Sequence, residues 1–313
     1  MDKRTRRLAY QAAALLVALL ALAWLVHNAA ANLEARRIAS GFSFLGREAG
    51  FQISESPFLR YSASDTYLEA LFVGLGNTLR VSLIGILAAT FLGATVGVFR
   101  LSKNFLLRTL AAAYVEFIRN SPLLVQLFFW YALITEGLPA PREALQPLPG
   151  VFLTNRGVYF PLPGNVPVLE GFNFSGGMVV TPEFAALLVG LSIYTAAFIA
   201  EIVRAGVLAV SRGQWEAAFA IGLTRAQALR RVVMPQALRV IIPPAASQYL
   251  NIAKNSSLAV AIGYPDLVAV ANTAINQTGQ AIEGVAIIMA VYLTISLSIS
   301  AFMNWYNARI ALR

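Results

Sequence analysis

The chain has no cysteine, a single histidine and three lysines. The absence of cysteine excludes disulfides and thiolate metal sites. The lone histidine, His27, lies in an apolar run. Metal sites draw on several ligands, so His27 reads as a packing or interface residue. The lysines, Lys3, Lys103 and Lys254, all lack a preceding glycine. A phosphate-holding loop needs Gly-Lys-[Ser/Thr], so an ATP-hydrolysing enzyme has no nucleotide site here. Charge is scarce as well, at 12% of residues, against about a quarter in soluble domains. No polar stretch is long enough to be the output domain of a membrane sensor.

What the chain has in excess is apolar residues, 58% of the total. A helical membrane protein uses such an excess, because each span consumes about 20 largely apolar residues. Charge-free runs mark six candidate spans: Leu8 to Leu33, Val81 to Phe99, Asn120 to Thr135, Phe184 to Ala200, Val240 to Ala253 continuing past Lys254 to Pro265, and Gly284 to Ala308. None shows the alternation of a barrel strand, so helices are the remaining way to span a bilayer. The expectation is an all-α membrane protein with about six transmembrane helices. The first run follows the basic start "MDKRTRR", as in a signal peptide. It is long and has no clear small-residue cleavage site, so it is expected to be a retained helix. Gly93-x-x-x-Gly97 permits close helix packing within the core. Trp130, Tyr131 and Trp305 read as interface anchors.

Basic residues set the orientation. With the N-terminus inside, the cytoplasmic set is Lys3, Arg4, Arg6, Arg7, Arg100, Lys103, Arg108, Arg119, Arg204, Arg212, Arg225, Arg230, Arg231, Arg239, Arg309 and Arg313. Arg36, Arg37, Arg47, Arg60, Arg80, Arg142 and Arg156 fall outside, spread over longer loops. Both termini are therefore expected in the cytoplasm. The net charge of +9 is read as membrane orientation, with lipid around the chain and no nucleic-acid partner. Two outside segments are long, Asn28 to Asp65 and Glu136 to Val180. The second is rich in Pro and Gly, which suits an ordered but irregular cap. It ends at Thr181-Pro182-Glu183, where a helix should start.

One cytoplasmic stretch, "SRGQWEAAFAIGLTRAQALRRVVMP" (Ser211 to Pro235), lacks any long apolar run. Ser211/Gln214 and Thr224/Gln227 have capping-box spacing. Gly222 suits a left-handed helix end, and Pro235 should stop or kink the second helix. Two short helices with a tight corner follow, with Ala217, Ala218, Ala220 and Gly222 as a surface of small residues. The spacing Glu216-Ala217-Ala218, Gly222, Val232-x-Met234-Pro235 resembles the EAA loop of permease subunits in ATP-binding-cassette (ABC) importers. "NTLRVS", "YVEFIRNSPLLVQLFFWY", "AEIVRAG", "MPQALRVIIPP" and "KNSSLAVAIGYPDL" are similar to the polar amino-acid branch. The N-terminal "ANLEARRIASGFSFLGREAGFQIS" and the Pro-rich insertion resemble the longer permease of broad-specificity L-amino-acid importers.

This resemblance implies a type I importer core of five helices plus an extra N-terminal helix, in the bacterial inner membrane. Residues 1–66 would be the N-terminal helix and a periplasmic segment. Residues 67–313 would be the core, with an insertion at about 136–180 and a coupling loop at about 211–235. Glu216, Ala217, Ala218, Gly222 and Arg225 would dock on an ATPase. The expected partners are a second homologous permease, two copies of an ABC ATPase that binds ATP and Mg2+, a periplasmic amino-acid-binding protein and the L-amino acid. No cofactor is expected in this chain. A secondary transporter working without an ATPase is the alternative, and it would need no docking loop.

Lys254 interrupts a charge-free segment, and a lysine at mid-bilayer costs roughly 2.5–3.5 kcal/mol. On a regular helix Asn251 and Ser257 share its stripe, with Gln248 and Asn255 on adjoining ones. These residues and Ser256 are candidates for the substrate path, where an ammonium can bind a carboxylate. The alternative is that Lys254 reaches an interface, or locks onto Glu116 or Glu201. Pro122 should break the helix of "YVEFIRNSPLL", with Ser121 capping the restart. Glu116 and Arg119, three apart, share a face and form a candidate pair, also assigned to the path.

Overall fold

A computed structural model describes residues 3–35 and 40–311; Arg36, Arg37 and Arg313 of the orientation argument lie outside the described residues. Ten α-helices occur among those residues: α1 (Lys3–Ala35), α2 (Tyr67–Arg100), α3 (Phe105–Arg119), α4 (Leu123–Gly137), α5 (Pro182–Leu208), α6 (Arg212–Ala220), α7 (Arg225–Ala228), α8 (Met234–Asn255), α9 (Leu267–Thr278) and α10 (Ala281–Ala311). By length and composition α2, α5 and α10 can each cross a membrane alone. Counting each of two bent pairs, α3 with α4 and the α7–α8 run with α9, as one span gives up to five. The apolar part of α1, Ala9–Leu25, is shorter.

Local chemistry places the helix starts. Thr66 accepts from the Glu69 amide while Glu69 accepts from the Thr66 amide at 2.8 Å, a complete capping box at α2. Thr181 caps α5 by accepting from the Phe184 amide, with Pro182 in the first turn, as its sequence predicts. The break between α3 and α4 is also as predicted, with a bend of 106°. Its capping differs. Pro122, not Ser121, holds the N-cap position, and Ser121 Oγ donates back to the Phe117 carbonyl at 2.7 Å. Gln126 Nε2 donates to the Ile118 carbonyl at 3.0 Å, supplying a donor that the broken helix no longer provides.

The segment after α4 is not irregular. It forms six strands: β1 (Leu145–Leu148), β2 (Val151–Thr154), β3 (Gly157–Phe160), β4 (Val168–Glu170), β5 (Asn173–Ser175) and β6 (Met178–Val180). Four make an antiparallel sheet in the order β1-β2-β3-β6, and β4-β5 is a hairpin. Phe152 stacks on Phe174 at 4.4 Å and joins the two. Each strand has three or four residues, too few to show a period-two pattern between the glycines and prolines.

Helix α5 is the hub of the bundle, in contact with α2, α3, α4 and α8. Its neighbours approach closely because glycines face it. A Cβ on Gly93 would sit 2.6 Å from Ile199 Cβ, and one on Gly97 would sit 2.8 Å from Val203 Cβ. The Gly93-x-x-x-Gly97 spacing is thus a packing device inside the core. At one end of α5, Leu127, Leu187, Leu191 and Tyr264 form a buried cluster. Towards the other end, Ile199, Val203, Val207, Val233, Ala237 and Ile241 form another. Gly93→Val should cost about 1–3 kcal/mol by overpacking. It should lower the thermal midpoint of the detergent-solubilised protein, measured by tryptophan fluorescence. An unchanged midpoint would show that α2 can move off α5.

Candidate functional site

At the end of α5 away from the sheet, the chain turns into the loop singled out above. Ser211 is the N-cap of α6 but makes no side-chain cap, so the first capping box does not form. The helix ends instead on backbone geometry. Gly222 has φ +82°, the Gly222 amide donates to Phe219 O at 2.9 Å, and the Leu223 amide donates to Ala218 O at 3.1 Å. That is the Schellman arrangement, which a glycine accepts without strain. The second capping box does form, between Thr224 and Gln227. Pro235 does not stop the next helix; it lies in the first turn of α8. A π-helical turn, Leu229–Val233, runs straight into α8, and the Met234 amide reaches back to Leu229 O. The wider turn shifts the hydrogen-bond register ahead of the proline. Gln236 Nε2 bonds Val232 O at 3.0 Å and Gln214 Oε1 at 3.0 Å, tying α6 to α8.

The loop is anchored on one side and open on the other. Trp215 packs against the cluster around Val233, and Ala218 is 2% exposed. Ala218 therefore holds the hairpin together, leaving Ala217, Ala220 and Gly222 as the small exposed surface. Phe219 and Ile221, 47% and 75% exposed, project beside it. Glu216 and Arg225 are exposed. The shape is a rigid apolar knob with charged flanks, suited to a groove on another protein.

The polar residues of α8 lie together near its far end. Asn251 and Lys254 are exposed on one stripe, and Gln248 and Asn255 are half-buried. There α8 tightens into a 3-10 helix, Ser256–Ile262. Ser256 is buried and bonds Ala253 O at 2.8 Å; Ser257, half-buried, bonds Lys254 O at 2.7 Å. Lys254 has no carboxylate partner among the described residues. The suggested lock onto Glu201 does not form, because Arg100 and Arg204 both pair with that carboxylate. Glu116 and Arg119 do not pair either. Arg119 lies over the Phe198 ring at 5.1 Å, where an aromatic face on α5 competes for the cation.

The sequence reading missed a buried polar knot. Glu55, 8% exposed, pairs with Arg80 at 2.8 Å and accepts a hydrogen bond from the Thr181 hydroxyl. Arg80 also stacks on Phe184 at 3.9 Å. Asn77 Nδ2 donates to Glu55 O and to Pro265 O, both at 2.9 Å. Thr78 Oγ accepts from the Leu267 amide at 3.0 Å. "NTLRVS" was a visible signal, but its partners lie 22 to 189 residues away. Burial pushes the Glu55 carboxyl above its usual range, against the opposing pull of Thr181 and Arg80.

Residues 82–312 match the family described as the binding-protein-dependent transport system inner membrane component. The chain belongs to this family. It is 46% identical to the permease protein YhdX of Escherichia coli K12, over 92% of this chain and 90% of that protein. It is 42% identical to the general L-amino acid transport system permease protein AapQ of Rhizobium johnstonii, over 99% and 94% of the two chains. A crystal structure of an amino acid ABC transporter superposes with a TM-score of 0.59 at 27% identity, over 78% of this chain and 95% of that one. The fold is that of a type I ABC importer permease, an integral protein of the inner membrane. In this permease α1 precedes the first long span, and a small β structure lies between α4 and α5.

The knot makes a pH-dependent contribution. Because Glu55 has a raised value when folded, the folded permease holds that proton more tightly than the unfolded chain. Its contribution is complete below the usual 4.5 and is lost as pH rises through the elevated value. Thermal midpoints of wild type should therefore fall, relative to those of Glu55→Gln, as pH rises through that window. A gap that does not change with pH would contradict the assignment.

Proposed function

We propose that this permease is one half of the translocation path of an ATP-driven importer of L-amino acids. A second, homologous permease would form the other half. Two copies of a separate ABC ATPase, carrying ATP and Mg2+, would dock on the loop between α5 and α8, with an external binding protein at the opposite end. The observation that carries this is the knob at Ala217, Ala220, Ile221 and Gly222: an exposed, rigid, apolar corner between the hub helix and the helix holding Lys254. The amino-acid class is supported by the relative named as a general L-amino acid permease. In this reading both termini lie in the cytoplasm and the sheet faces outward. Residues 1–66 precede a transport core at 67–313. Lys254, exposed with Asn251 beside it, would offer an ammonium to the substrate carboxylate. A secondary transporter would have no use for such a knob.

Two variants test the reading in proteoliposomes holding the whole complex. Gly222→Val forces a β-branched residue to φ +82°, at a cost of roughly 1 kcal/mol or more. It should leave the protein inserted and uncouple ATP hydrolysis from uptake; normal uptake with the ATPase attached would refute the docking role. Lys254→Met should preserve assembly and basal ATPase activity and lower amino-acid uptake at least about ten-fold, the effect of losing one charged hydrogen bond. Unchanged uptake kinetics across several amino acids would exclude Lys254 from the path.

A further inference from the structure

The β4–β5 hairpin carries a phenylalanine that the fold holds out into solvent. Phe172 is 70% exposed. Exposed aromatics are common singly, and exposure alone implies nothing. What sets this one apart is how firmly it is held. Arg142 lies over its ring at 4.5 Å and bonds the Gly171 carbonyl at 3.4 Å. Arg156 bonds the Phe172 carbonyl at 3.3 Å. Behind the tip, Tyr159 Oη donates to Asn173 Oδ1 at 2.7 Å, and the Phe174 ring sits between Phe152 and Tyr159. Val168 and Leu169 on the same hairpin are 57% and 41% exposed.

A ring fixed before contact loses little entropy when a partner covers it. Rigid aromatics of this kind are the usual anchors of protein interfaces. The place of the hairpin narrows the partner. It lies between α4 and the start of α5, so it cannot meet whatever docks at the loop beyond the other end of α5. Charge argues against anionic lipid headgroups. Residues 136–180 contain three acids, Glu136, Glu143 and Glu170, and two bases, Arg142 and Arg156. Both arginines are already engaged with the hairpin tip. A surface of this character, apolar and near neutral, fits a soluble protein. The family is described as binding-protein-dependent.

We propose that the β4–β5 hairpin is a docking element for the soluble substrate-binding protein, with Phe172 as its anchor and Arg142 as the residue that positions the ring. This rests on the importer reading above. Docking at the hairpin makes the sheet a lever on α5, since β6 runs directly into that helix.

The test uses the assembled permease–ATPase complex, in detergent and in lipid nanodiscs. The cognate binding protein, loaded with an equimolar mixture of the common L-amino acids, is titrated while ATP hydrolysis is recorded. Phe172→Ala should raise the concentration for half-maximal stimulation at least about five-fold. Arg142→Ala should shift it the same way by less. Basal ATPase activity and the elution volume of the complex should stay unchanged in both. Half-maximal concentrations within about two-fold of wild type would overturn the proposal. So would a shift confined to nanodiscs, which assigns the hairpin to headgroups, or loss of the second permease on elution, which assigns it to the permease pair. A wild-type complex indifferent to the binding protein would refute the importer reading itself, and the hairpin's role with it.

Discussion

A single amide holds together the end of the bundle that carries the sheet. Asn77 donates to the carbonyls of Glu55 and Pro265, so it joins the segment before α2 to the turn before α9. Around it, Glu55 is removed from water and satisfied by Arg80 and Thr181. A carboxylate buried without such partners would be strongly destabilising, so the segment of Glu55, α2 and the start of α5 are held to one arrangement. The start of α5, the sheet that feeds it and the break before α9 are positioned together. The aromatic layer of Phe44, Tyr67 and Phe51 then packs the preceding segment down against α2. Tyr67 Oη to Gln277 at 2.8 Å adds a tie to α9.

The same demand for satisfied backbone explains the two broken helices. In lipid an unpaired amide or carbonyl costs several kcal/mol, so a break survives only where other groups supply partners. At Pro122 these are the Ser121 hydroxyl and the Gln126 amide. Between α8 and α9 they are Asp266, which caps the Ala269 amide at 2.9 Å, and the Ala259 carbonyl, which receives the Tyr264 amide at 3.2 Å. Breaks built this way are rigid corners. They let the chain change direction inside the bundle without leaving polar groups to the lipid.

Between the knot and the knob runs α5. Its length, 27 residues, spans the bundle, and its neighbours meet it through small side chains. A Cβ on Gly206 would fall 2.3 Å from Ile241, so α8 lies almost against the α5 backbone at the knob end. Interiors packed so closely transmit strain. In the proposed importer, a push on the knob would therefore reach the polar stripe of α8 and the sheet through the same hub.

Membrane class, the positions of most spans, the Pro122 break, the Thr181 start and the Gly222 corner could all be read from the chain. Each rests on interactions within a few residues: an apolar run, a missing amide proton, a side chain bonding an amide three positions on. The family resemblance was legible for a similar reason, since the loop's small residues and glycine are specified by local geometry. What only the tertiary structure decided lies where partners are distant or elements are short. The strands of three or four residues carry too little pattern to announce a sheet, and Phe172 gains meaning only once Arg142 and Arg156 meet at its hairpin. Ser121 and Ser211 have the right residue type for caps, yet neither makes one. Glu116 and Arg119 have the right spacing for a pair, yet the Phe198 ring draws the arginine away. Pro235 has the chemistry of a helix stop, yet a π-turn absorbs it. Glu55 bonds Arg80 and Thr181 across 25 and 126 residues, and no local rule anticipates such a pairing, because packing of the whole bundle brings those groups together.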